Sequence, residues 1–324
     1  SAVRHGFAAH DPGREVSIHP LLRGFLIGRL RELPDDQLKT LVETVTQELI
    51  AAEHWDDCLK TLTHFPDARL VVAALAAALP SLLDQGRVAT VEEWIELAER
   101  CGSEDEATIW LARAELALRD GRGQDARTLG EHAAAKSSDA SLAARSHLVA
   151  ARGAHITEDP NGVLQNARRA EALSQDHKVR MLALWLAMLQ AYEQQDASAE
   201  EFVERLTAIA EPTPEDQVRV ALAGVYTTIE TAGATAALAR VQSCGALAGR
   251  LRDPMLATSY RYLDAFLAVQ IGRYDRARDL SDQLREVGDA YGIGFVVSFA
   301  ILNAARACAG LRQLREGNGY LSEL

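Results

Sequence analysis

Aromatic residues are scarce in this chain: Phe, Trp and Tyr together make up 6% of 324 residues, beside nine prolines and four cysteines. No sustained alternation of β-branched residues runs between turn signals, so strands are at most local. The cysteines, at 58, 101, 244 and 308, lie far apart and form no CxxC pair, which argues against a disulfide framework and for a reducing compartment. Long hydrophobic runs are missing too. The longest, LVVAALAAALPSLL (70–83), is too short to span a bilayer and contains Pro80. The N-terminus has no charged-then-apolar layout of a secretory signal. These absences give the expectation of a cytoplasmic protein without membrane contact. A basic surface is absent as well: the net charge is −12, the pI is near 5.3, and the arginines are scattered among acids. Phosphate recognition needs clustered positive charge, so direct nucleic-acid binding by this chain is not expected.

Catalytic signatures are equally missing. No nucleophile elbow, HExxH or paired acidic motif occurs. The acid pairs Asp35–Asp36 and Asp56–Asp57 fall at helix starts, where carboxylates stabilise the helix dipole. His54 and Cys58 stand four residues apart and could put two metal ligands on one helix face, with His64 beyond them. Cys58 has a packing role of its own, described below, and no fourth ligand is evident. The chain is therefore read as a non-enzyme with no metal site and no cofactor of its own.

What is present in abundance is alanine, leucine and arginine, all strong helix formers. Two stretches align without gaps, GRGQDARTLGEHA (121–133) and GRYDRARDLSDQL (272–284), sharing G-R-x-x-x-A-R-x-L. Candidate hairpin tips near Glu53, Gly86, Gly121, Asp159, Gln195, Gly233, Gly272 and Gly310 succeed one another at intervals of 33 to 39 residues. That is the period of a two-helix, tetratricopeptide-like repeat. In each repeat a first helix ends in a turn that favours positive φ, and a second helix begins. A small residue early in the second helix lets the pair approach: Cys58, Ala126 and Ala277 take that place, with Trp55 or Tyr274 three residues before. One hairpin cannot bury its own face, so hairpins stack. The fold expected is all-α, a right-handed α-solenoid of about seven or eight such hairpins.

The segment SIHPLLRGFL (17–26), then RLRELPDDQL, AAEHWDDCLKTLTH and LLDQGRVATVEEWIELA, resembles the MalT-type regulators, large ATP-dependent LuxR-family transcription factors of the STAND class. The marks are His19 to Leu26, Trp55 to Cys58, and Gly86 to Trp94, and the likeness fades into generic repeats after about residue 100. It implies that residues 1–33 end a winged-helix segment of a nucleotide-binding module, and that 34–324 form a helical-repeat sensor. It also implies that an inducer, often a small molecule, favours an ATP-bound, self-associating, DNA-binding form. By the same analogy His19 would sense the β-phosphate of ADP in the intact protein, whereas locally it could simply cap the helix begun by Pro20. The chain departs from the pattern in having no G-x-x-x-x-G-K-[ST], no C-terminal helix-turn-helix, and cysteine at position 58 where alanine is usual. It begins with serine and stops about half a repeat past Gly310, so it is expected to be the middle of a longer protein.

Counting back from the turns places Trp185, Leu189 and Tyr192 on the inner wall of the solenoid, spaced i, i+4, i+7. Tyr262 and Phe266 join them, as do Thr108, Leu111 and Glu115. Aromatic faces in a groove can stack on sugars or bases, but a stripe at helical spacing can equally be core. A groove for a peptide or partner protein would instead use Arg113, Arg219, Arg261, Asn303 and Arg306. Plain self-association is a third reading.

Overall fold

The computed structural model describes residues 8–11, 14–18 and 20–324. His19 lies outside the described residues. The chain divides into two compact units, residues 1–74 and 75–324.

The first unit opens with strands β1 (Ala8–Asp11) and β2 (Arg14–Ile18), an antiparallel pair with Ala8 opposite Ile18. Helix α1 (Pro20–Arg31) starts on proline, whose fixed φ suits a first helical position. Helices α2 (Asp35–Ala51) and α3 (Trp55–His64) form the first hairpin. It closes on Trp55, Cys58 and Leu62, all buried.

Helix α4 (Ala68–Asp84) runs across the division and is followed, after the turn at Gly86, by α5 (Val88–Arg100). The second unit continues as α6 (Ala107–Arg119) with α7 (Gly123–Lys136), α8 (Ala140–Ile156) with α9 (Pro160–Leu173), and α10 (His177–Glu193) with α11 (Ser198–Ile209). Next comes α12 (Pro214–Ser243), two arms broken at Gly233 (φ 80°), and the short α13 (Gly245–Ala248). Helices α14 (Pro254–Gln270) with α15 (Tyr274–Ala290) and α16 (Gly294–Gly310) with α17 (Leu314–Leu321) follow. With the two arms of α12 counted as one pair, the described residues form eight hairpins, the all-α repeat array expected.

The turns recur with one geometry. A residue of positive φ ends each first helix: Glu53, Gly86, Gly121, Glu158, Gln195, Gly233, Gly272 and Arg312. At most of them the next amide reaches back to close the last helical turn, as in Arg87 to Leu82 O (2.8 Å), Arg122 to Ala117 O (2.9 Å) and Arg273 to Ala268 O (2.8 Å). This is the Schellman arrangement, which satisfies carbonyls the helix leaves orphaned. Two expected tips shift. At the fourth turn the left-handed residue is Glu158, and Asp159 instead caps α9 by accepting from Gly162 N at 3.1 Å. At the last, Gly310 stays helical and Arg312 makes the turn (φ 62°).

Ala126, Ala277 and Cys58 are fully buried, as their place in the repeat requires. Burial pushes the Cys58 thiol up to about 11, so it is a packing residue held as the neutral thiol.

Candidate functional site: the inner wall

Successive first helices of the second unit pack on one another: α6 on α8, α8 on α10, α10 on α12, α12 on α14, and α14 on α16. Second helices pack closely on their own partner and on the next first helix, as α7 does on α8 and α15 on α16. A stack whose first helices touch and whose second helices splay curves toward the first helices. These therefore form the inner wall, and their sequences show it: α10, reading VRMLALWLAMLQA, is buried at almost every position. All-round apolarity marks a helix enclosed by neighbours rather than one bordering water.

Of the expected ligand residues, Trp185 is 8% exposed and Leu189 9%. Trp185 meets Tyr226 edge-on at 6.1 Å, and Tyr192 meets the same ring at 4.9 Å. Tyr262 stacks on Phe266 at 6.0 Å and touches Phe299 at 5.4 Å, and Phe299 meets Phe295 at 6.3 Å. The wall thus gathers its aromatics into two groups, one on α10 and α12, the other on α14 and α16. Burial raises the Tyr226 phenol, with the Tyr262, Glu193 and Tyr192 charges adding to it, and raises those of Tyr192 and Tyr262 as well. These tyrosines stay neutral hydroxyls across the ordinary pH range. Glu115 stands apart, half-buried on α6 near Arg119, while Thr108 and Leu111 are buried core.

Tyr226, Phe295 and Phe299 belong to these groups but were not singled out by the spacing. Tyr226 lies seven residues before Gly233, and counting back from that turn would have found it. Phe299 is 45% exposed, the one large hydrophobic residue of the two groups that faces water to that extent.

The peptide-clamp set fares differently. Arg219 is 2% exposed and lies 3.6 Å from both Asp216 and Asp253. Burial holds its guanidinium below the usual arginine range, the two aspartates opposing that effect. Asn303 is 1% exposed, with its Nδ2 unpartnered. Arg113 is committed to Glu99 at 2.5 Å and covers the Trp110 ring at 5.1 Å. Of the five, only Arg261, half-buried, and Arg306, exposed, keep access to solvent without such commitments.

Arg119, 6% exposed at the end of α6, joins distant parts of the array. Its Nη2 donates to Leu83 O at 3.0 Å and its Nη1 to Tyr291 O at 3.2 Å. A hollow of about 540 Å³ lies on the second-helix side, between α11 and α12, with Thr207, Pro212, Val220 and Arg240 in its lining. None of the expected inner-wall residues borders it. Among the described residues no group of three or more His, Cys, Asp or Glu side chains converges as metal ligands. Among the same residues no helix is long and apolar enough to cross a membrane.

No protein-family model matches the chain, and no curated protein matches it by sequence. Among solved structures it is similar to a chain of one described as "Crystal structure of APC/C hetero-tetramer Cut9-Hcn1", with a TM-score of 0.52 and 14% identity. The likeness covers 92% of this chain and 58% of that one, so this chain spans less than two thirds of its neighbour's length. At that identity it bears on the fold alone, and it agrees with a tetratricopeptide-like α-solenoid.

Proposed function

We propose that this chain is a protein-interaction module that takes its partner on the aromatic group of α14 and α16. The observation that carries this reading is Phe299. It leaves 45% of its surface in water while its ring joins a chain of contacts running through Tyr262, Phe266 and Phe295. A solvent-facing aromatic backed by packed aromatics is the usual make-up of an interface anchor, because the backing rings hold its rotamer at little further entropy cost. Exposed Arg306 on the same helix supplies a polar rim. The test is selection of peptides from a random library on the full chain. The reading predicts a recurring apolar or acidic motif whose binding Phe299→Glu weakens at least tenfold with the melting temperature unchanged. Failure to enrich any motif, or binding indifferent to Phe299→Glu, would remove it.

A second reading makes the same array the inducer sensor of a MalT-type activator, with ATP handled by parts beyond this chain. What favours it is the order at the N-terminus: a β-hairpin followed at once by a helix starting on Pro20, in the stretch that carries the family-like HPLLRGFL. A small-molecule screen by thermal shift tests it. Stabilisation by a metabolite, lost in Tyr192→Phe or Tyr226→Phe, would support the sensor; a gene lacking both a P-loop and a helix-turn-helix would sink it.

A further inference from the structure

We propose that the second unit is closed on itself by an openable seam, with Arg119 as its catch, and that the seam sets the position of Phe295 in the aromatic group. The coupling to partner binding rests on the interaction reading above; the seam itself does not.

Three observations meet at this place. Arg119 reaches across to main-chain carbonyls of two segments remote in sequence, Leu83 at the end of α4 and Tyr291 between α15 and α16. The segments there lie in direct contact: a Cβ on Gly86 would fall 2.9 Å from the Tyr291 backbone at Cα, and one on Gly292 would fall 3.0 Å from the Val88 side chain at Cγ2. Both glycines also hold positive φ (69° and 61°), and at Gly86, where a Cβ would strike backbone, no other residue serves both the turn and the approach. Finally, the catch is incompletely satisfied. Among the described residues no carboxylate makes an ion-pair contact with Arg119, the charges of Glu115, Asp84 and Asp253 acting on it only from a distance, and its buried Nε has no partner.

The energetics follow from that last point. A hairpin stack owes its stability to neighbouring layers, which persist whether or not distant layers meet. The seam adds hydrogen bonds to charge-carrying donors, each favourable, but buries a guanidinium without a contacting carboxylate and leaves one N–H unmet. Parting the seam gives up those two hydrogen bonds and returns the guanidinium to water, while every repeat keeps its neighbouring layers. The seam can therefore part without unfolding a repeat. Phe295 ties it to the aromatic group: its Cβ lies 3.4 Å from where a Cβ on Gly121 would stand, and its ring meets Phe299. Parting the seam frees Phe295 and alters the surface that Phe299 anchors.

Hydrogen exchange by mass spectrometry on the full chain tests this. In the unmodified protein the peptides covering 83–90 and 288–296 should open together, with one shared opening constant at least tenfold larger than that of the α8–α10 helices. Arg119→Met, which keeps an unbranched apolar stem and removes the donors, should speed exchange of those two peptides at least tenfold and leave α8–α10 unchanged. The proposal is overturned if the two segments exchange at unrelated rates, or only with global unfolding. It is also overturned if Arg119→Met leaves both protected. Should Arg119→Met fail to fold, the wild-type correlation alone decides. Peptide binding is not needed for either readout, so the loss of the interaction reading would leave the seam standing.

Discussion

His177 Nε2 and Asp216 Oδ2 stand 2.5 Å apart, joining the first residue of α10 to the first turn of α12. Asp216 also accepts from Glu211 N at 2.9 Å, and its other oxygen lies 3.6 Å from Arg219, which lies 3.6 Å from Asp253. The three residues at the centre of this chain are at most 8% exposed. A buried guanidinium stripped of one of its two carboxylates keeps its desolvation cost and loses half its compensation. Asp216→Ala should therefore cost about 3–5 kcal/mol in denaturant unfolding, the range for breaking a buried pair. A loss below about 1 kcal/mol would mean that Arg219 does not depend on it.

His147 gives the pH dependence. Its Nδ1 lies 2.8 Å from Asn166 Oδ1, and partial burial, helped by the Arg169 charge, lowers its pKa against the opposing pull of the Asn166 bond and Glu131. The folded value thus lies below the unfolded one, near 6.5. As pH falls, the unfolded chain takes the proton first. The contribution is present above about pH 6.5 and is lost as pH drops through the folded value. The melting temperature should decline between pH 7 and 5, and His147→Gln should decline less steeply over that window. Parallel declines would show that His147 is not responsible.

The array was legible because period and small-residue placement are written locally, in turns and early second-helix positions. Gly310 marks the limit of that legibility. It looks like a hairpin tip, yet it is there for space: a Cβ would stand 2.5 Å from the Tyr274 ring. The turn falls two residues later on Arg312, at φ 62°. Left-handed backbone costs a non-glycine residue about 1 kcal/mol or more. Arg312→Gly should then be neutral to stabilising by up to about 1 kcal/mol, and Gly310→Ala destabilising. The reverse order in thermal unfolding would return the turn to Gly310.

The inner wall was legible only as a face. Helical spacing assigns Trp185, Leu189 and Tyr192 to it, but curvature decides whether such a face is groove or core, and curvature comes from contacts between first helices that no local motif records. The contact of Arg119 with Leu83 and Tyr291 is the extreme case, since nothing in the sequence near 119 points to residue 291. The same enclosure turned Arg219 and Asn303 from clamp residues into buried ones.

Paired substitutions separate wall from surface. Trp185 is 8% exposed and locked against Tyr226, so Trp185→Ala should leave a cavity and cost about 3–5 kcal/mol, as large-to-small changes in packed cores do. Phe299 is 45% exposed, so Phe299→Ala removes contacts on one side only and should cost well under that, about 1 kcal/mol or less. Urea unfolding of both variants measures the difference, and peptide binding supplies the second axis. Phe299→Ala should weaken binding at nearly intact stability. A Phe299 that proves as costly as Trp185 would belong to the packed wall, and the interaction surface would have to be sought elsewhere on the array.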